Sequence, residues 1–90
     1  MSVLVQMSVR VPDVDQFLAT SRKFEPMMEE MGARNQRILQ SESDLSEVCS
    51  LSEWDSHDVM HAASEKYGDQ FNSEAGTEGL QWETRIWNQL

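Results

Sequence analysis

The ninety residues predict one α+β domain with its elements in the order β-α-β-β-α-β. Three features carry that expectation. Residues 3–11 and 80–87 alternate apolar and polar side chains, the period of a strand with one buried face. Two stretches with apolar residues three and four positions apart follow the first and third strands, as amphipathic helices require. Between those helices, two strand-like runs are separated only by a short polar turn, which favours an antiparallel hairpin. A chain of this length supports one hydrophobic core, so residues 1–90 are expected to form a single domain.

The first strand places Val3, Val5, Met7, Val9 and Val11 on one face and Leu4, Gln6, Ser8 and Arg10 on the other, and Pro12 stops it. Asp13 opens the first helix, with Gln16 three residues on as its capping-box partner. Val14, Phe17, Leu18, Ser21, Met28 and Met31 continue at helical spacing. Pro26 falls inside this run and predicts a kink or break near Phe24 or Glu25, hence two helical pieces closed by Gly32. Met27, Met28 and Met31 read as adaptable core filling. Residues 33–40 form the second strand and 48–54 the third. Asp55 or Ser56 caps the second helix, whose apolar stripe is Val59, Met60, Ala63 and Tyr67. Gly68 is expected to end or bend that helix, with Phe71 starting a return segment. In the last strand Leu80, Trp82, Thr84 and Ile86 face one way, and Gln81, Glu83, Arg85 and Trp87 the other.

Composition narrows the partners. Seven Lys and Arg against sixteen Asp and Glu give a formal charge of −9, which repels nucleic-acid phosphates and anionic membranes. The single cysteine, Cys49, has no internal disulfide partner and sits in an apolar strand, where a buried, inert thiol is expected. The stretch "MSVLVQMSVRV" has no basic leader region or cleavage site, and no run reaches the length of a membrane span, so the expected location is the cytoplasm. Gly-rich phosphate loops, Cys-x-x-Cys pairs and dinucleotide fingerprints are missing from the sequence.

The element order is that of the ferredoxin-like split unit, a four-stranded antiparallel sheet with two helices on one face. The other face carries Leu4 and one of Trp82 or Trp87, so it is not purely polar. A second copy packed sheet against sheet, a homodimer, is the economical cover. Arg10 and Arg37 stand inside strands, where an ion pair across that dimer, preferred here, or an anionic ligand group would account for them.

This topology, together with "SEVCSLSEWDSHDVMHAA", resembles the dimeric α/β-barrel proteins related to antibiotic biosynthesis monooxygenases. The shared pattern is an apolar strand ending in Glu53-Trp54, then Asp55-Ser56, then the second helix. "GARNQRILQSESDLSE" is similar to the family's second strand and hairpin, and "VPDVDQF" to its approach to the first helix. The resemblance implies a pocket between sheet and helices in each subunit. The better-understood members of that family include cofactor-independent monooxygenases of aromatic polyketides and haem-degrading enzymes, and many others have no assigned reaction. The monooxygenases place an Asn two same-face positions before the Trp, where this chain has Ser50. The haem-degrading type places an iron-binding His about ten residues after the Trp, where this chain has Ser64.

The candidate catalytic residues are therefore Trp54, Ser50 and His61, with Phe17, Met28, Tyr67 and Trp82 as candidate pocket walls. Trp54 would stack on a flat ligand and offer its indole N–H, or else pin the second helix to the sheet. His61 would shuttle a proton at a pocket rim, or serve as a structural histidine. His57, His61 and Glu65 make a four-residue ladder, read as a solvated helix edge rather than a metal site. The expectation is a small homodimeric protein acting on an aromatic or hydrophobic molecule, with no bound cofactor and no metal. The alternative is a dimeric binding or regulatory module without catalysis.

Overall fold

The computed structural model describes residues 2–90. Its elements are β1 (Val3–Arg10), α1 (Val14–Glu30), β2 (Arg34–Gln40), β3 (Glu47–Trp54), α2 (His57–Ala75) and β4 (Glu83–Asn88). The four strands form one sheet in the order β2-β3-β1-β4, and every neighbouring pair is antiparallel. This is the ferredoxin-like α+β fold, with both helices on the face that carries Val3, Val5 and Val9.

Local chemistry sets the helix ends. The Asp13 carboxylate accepts the Gln16 backbone N–H at 3.0 Å and so caps α1. The Gln16 amide does not complete a capping box. It turns away to donate to the Glu74 carbonyl at 2.9 Å, tying the start of α1 to the end of α2. Gly32, at φ +114°, ends α1 by donating to the Glu29 carbonyl at 3.0 Å, while Ala33 donates to Met28 at 2.9 Å. That pair of bonds is a Schellman motif, which needs the positive φ that glycine supplies. Ser56 caps α2, accepting from the Val59 N–H at 3.3 Å, and Gly76 closes it at φ +72°.

Two helix expectations are corrected. α1 runs unbroken through Pro26, and α2 runs through Gly68 to Ala75, so Phe71 is helical rather than the start of a return segment. Tertiary packing decides both. Phe24 is 1% exposed and meets Phe71 edge to face at 5.5 Å, which holds the two helices together across the weak positions. An aromatic contact of that kind, with its buried area, outweighs the ~1 kcal/mol helix penalty of one glycine. The missing Pro26 N–H costs one helical hydrogen bond and leaves the rest of the ladder in place.

β2 is less regular than its sequence suggests. Its register with β3 shifts between Arg34 and Arg37, and Asn35 in that bulge takes φ +53°, a left-handed conformation that Asn tolerates. Arg10 and Arg37 find partners within the chain: Arg10 Nε meets Asp44 at 2.7 Å, and Arg37 meets Glu53 at 4.0 Å. An ion pair across a dimer is therefore not needed to account for either.

The two tryptophans of the C-terminal segment part company. Trp82 precedes β4 and turns to the helical side, 6.2 Å from the Phe17 ring. Trp87 lies opposite Leu4 in the β1–β4 register, on the bare face of the sheet, and is 49% exposed. Leu39 and Leu51 share that bare face through their pairing with Cys49 and Gln6.

Candidate functional site

The core is divided in two. One buried cluster joins Val3, Val5, Ala33, Trp54 and Ala63, with Met7, Met28, Met31 and Met60 packed against it. The other joins Val9, Val11, Phe17, Val48 and Ala75, with Ile38, Phe71, Leu80 and Trp82. The inward side chains of β3 explain the division: they read Val48, Ser50, Ser52, Trp54. Two small hydroxyl residues stand where a central strand ordinarily carries bulk. Above them lies a cavity of about 490 Å³, between the sheet and the helices. That is the size range of a small-molecule site.

Its walls come from every layer. β1 contributes Val5 and Met7, β2 contributes Ile38, and β3 contributes Ser50, Ser52 and Trp54. Phe17, Ser21, Phe24 and Met28 descend from α1; Met60, Ser64, Tyr67, Gly68 and Phe71 descend from α2; Trp82 closes the far side. Five rings follow one another in contact: Trp82 to Phe17 at 6.2 Å, Phe17 to Phe71 at 5.9 Å, Phe71 to Phe24 at 5.5 Å, and Phe24 to Tyr67 at 6.2 Å. Three of the four contacts are edge to face, which stiffens the wall. Arg22, Glu25 and Arg37 are the exposed, charged members of the rim.

Six of the seven residues singled out from sequence meet at this cavity: Trp54, Ser50, Phe17, Met28, Tyr67 and Trp82. His61 does not. Its side chain is 61% exposed and its Nε2 lies 3.2 Å from Glu65 Oε1, on the solvent side of α2. The His57 and His61 rings stack at 6.2 Å, and among the described residues no group of three or more potential ligating side chains gathers around them.

Trp54 meets the helix-pinning expectation and also reaches the cavity. It is 4% exposed and packs with Ala63, pinning α2 to the sheet, while one side of it forms cavity wall. Its indole N–H is already engaged, donating to Ser52 Oγ at 2.9 Å. Glu53, the other half of the Glu-Trp pair, points to the opposite face. There it accepts from Asn35 at 2.6 Å and from Gln89 at 3.1 Å, and these bonds lower its carboxyl pKa. Glu53 therefore anchors strands, and Trp54 alone faces the cavity.

Ser64, at the position of an iron-binding His in the haem-degrading pattern, lines the cavity and donates to Met60 Sδ at 3.8 Å. A serine hydroxyl is no substitute for an imidazole as axial ligand to haem iron. Cys49 is half-buried, with its thiol pushed upward by desolvation and then by Glu47, which keeps it protonated. A second hollow of about 570 Å³ lies where α1 meets β2, but it is shallow and polar, and the Arg34–Asp55 ion pair (2.5 Å) occupies its wall.

Sequence reasoning missed Ser52, Ser21, Met60, Gly68 and Phe71. The signal for Ser52 was available in the Ser-x-Ser alternation of β3, because paired small residues on a core face imply a gap in the core.

No protein-family model matches the chain, nor does any curated protein. Solved structures do match in shape. A Caulobacter crescentus protein provisionally named an antibiotic biosynthesis monooxygenase superposes with a TM-score of 0.83 at 13% identity, over 99% of this chain and 90% of that one. SnoaB, a cofactor-independent oxygenase from Streptomyces nogalater, superposes with a TM-score of 0.76 at 13% identity, over 99% and 92%. A conserved protein from Methanosarcina mazei reaches a TM-score of 0.81 at 15% identity, over 100% and 94%. At such identities the likeness is one of fold.

Proposed function

We propose that this chain is a cytoplasmic homodimeric pocket protein of the antibiotic biosynthesis monooxygenase type, binding a flat aromatic molecule between its sheet and its helices. The cavity of about 490 Å³, walled by a run of aromatic rings and floored by Ser50 and Ser52, carries the reading. A continuous apolar wall with few hydroxyls suits an aromatic ligand with oxygen substituents.

In such a site the substrate is its own electron source. Loss of a proton from an activated CH₂ flanked by aromatic rings gives an anion that reduces dioxygen. One oxygen atom enters as a ketone in place of the two hydrogens, and the other leaves as water. The protein's part is to exclude bulk water, align the ring and hold the oxygen that carries the developing negative charge. Ser50 brings a hydroxyl to the cavity for that oxygen, and Trp54, whose N–H is engaged by Ser52, brings a ring to align the ligand. His61 is omitted from it, because it faces solvent beside Glu65.

The second reading is a ligand-binding or regulatory module without turnover, and the outward placement of His61 favours it. One experiment separates the two. Aerobic oxidation of 1,8-dihydroxyanthrone to its anthraquinone is followed with and without protein, beside binding of the product. The first reading expects acceleration over the spontaneous rate, lost in Ser50→Leu, whose larger side chain raises the cavity floor and removes its hydroxyl. Binding without acceleration favours the module.

A further inference from the structure

Ser52 stands in the cavity wall with its Oγ 2.9 Å from the Trp54 indole nitrogen. The direction of that bond follows from chemistry: an indole N–H donates and has nothing to accept with, so Ser52 must receive. A hydroxyl that receives keeps its own proton to give. Among the described residues that proton has no acceptor. The acceptor must therefore come from what fills the cavity. Across the cavity, Ser21 on α1 adds a hydroxyl whose oxygen is buried without a hydrogen-bond partner. Donation from Trp54 also polarises the Ser52 hydroxyl, making it a stronger donor than an isolated serine.

We infer that Ser52 is the specificity-determining donor of the site, held in its giving orientation by Trp54, and that it selects ligands carrying a carbonyl or phenolate oxygen. The inference rests on the reading of the cavity as a ligand site and narrows the ligand class within it. A hydrocarbon of the same shape leaves the Ser52 proton unpaired in an apolar enclosure, which is unfavourable.

The test uses 9-fluorenone and fluorene, flat tricyclic probes that differ by a ketone in place of a CH₂. Wild-type protein is expected to bind fluorenone about five- to tenfold more tightly, the worth of one hydrogen bond. The carbonyl stretch of bound fluorenone is expected to move to lower frequency. Ser52→Ala should abolish both the preference and the band shift, whereas Ser52→Thr, which keeps a hydroxyl in a β-branched residue suited to a strand, should retain both. If both probes bind and Ser52→Ala leaves the preference and the band unchanged, Ser52 is not the donor, and the cavity reading survives. If neither probe binds, the cavity reading falls and this inference with it.

Discussion

Leu4 and Trp87 lie directly opposite each other in the β1–β4 register, on the side of the sheet that neither helix covers. With Leu39 and Leu51 they make an apolar strip, in which Leu39 and Trp87 are each 49% exposed. On a protein with a formal charge of −9, such a strip is costly to leave in water. A dimer in sedimentation equilibrium at micromolar concentration is expected, and Trp87→Asp should give a folded monomer. A monomeric wild type would remove the homodimer from the account.

The floor of β3 gives a prediction of opposite sign to most core substitutions. Ser50→Leu adds apolar bulk to open space rather than to a filled core. It should raise stability by about 1–2 kcal/mol, since each buried methylene contributes roughly 0.8 kcal/mol. Thermal melts check this, and a lower melting temperature would mean the space above Ser50 is not available.

Gly32 and Gly68 should respond oppositely to alanine. At Gly32 the backbone is at φ +114° and a Cβ would come 3.2 Å from Val59 Cγ1. Gly32→Ala should cost about 1–2 kcal/mol, a fall in melting temperature of roughly 4–15 °C. Gly68 is inside α2, and a Cβ there meets nothing within 4 Å. Gly68→Ala should gain up to ~1 kcal/mol from helix propensity.

Asp44 links stability to acid. Hydrogen bonds from the Ser46 hydroxyl, from Arg10 and from the Ser46 N–H lower its carboxyl pKa from 3.8 to about 2. A depressed folded-state pKa stabilises the fold above the unfolded value, and that contribution fades as pH falls through the folded one. The stability difference between wild type and Asp44→Asn should therefore be constant above about pH 5 and shrink between about pH 4 and pH 2. Melts across that range in constant salt show it, and a difference independent of pH would contradict the assignment.

What could be read from the sequence was local. Asp13, Ser56 and Gly32 act through bonds to residues three positions away, so their roles follow from spacing alone. Pro26 and Gly68 were misread because their local penalties are overruled by Phe24 and Phe71, which meet only when the helices pack. His61 shows the limit of helical spacing. A four-residue interval places His57, His61 and Glu65 on one stripe but does not say which way the stripe turns, and here Ala63 and Tyr67 claim the inner side. Trp82 and Trp87 could not be told apart, because the strand begins at Glu83, after Trp82, and alternation says nothing about where pairing starts.

Titration of the wild-type protein with 9-fluorenone, beside Ser50→Leu, shows whether the cavity between sheet and helices takes a ligand. Saturable binding of one ligand per chain, lost in a Ser50→Leu protein that remains folded, is the expected result. Absence of saturable binding, or binding that Ser50→Leu leaves intact, would contradict it.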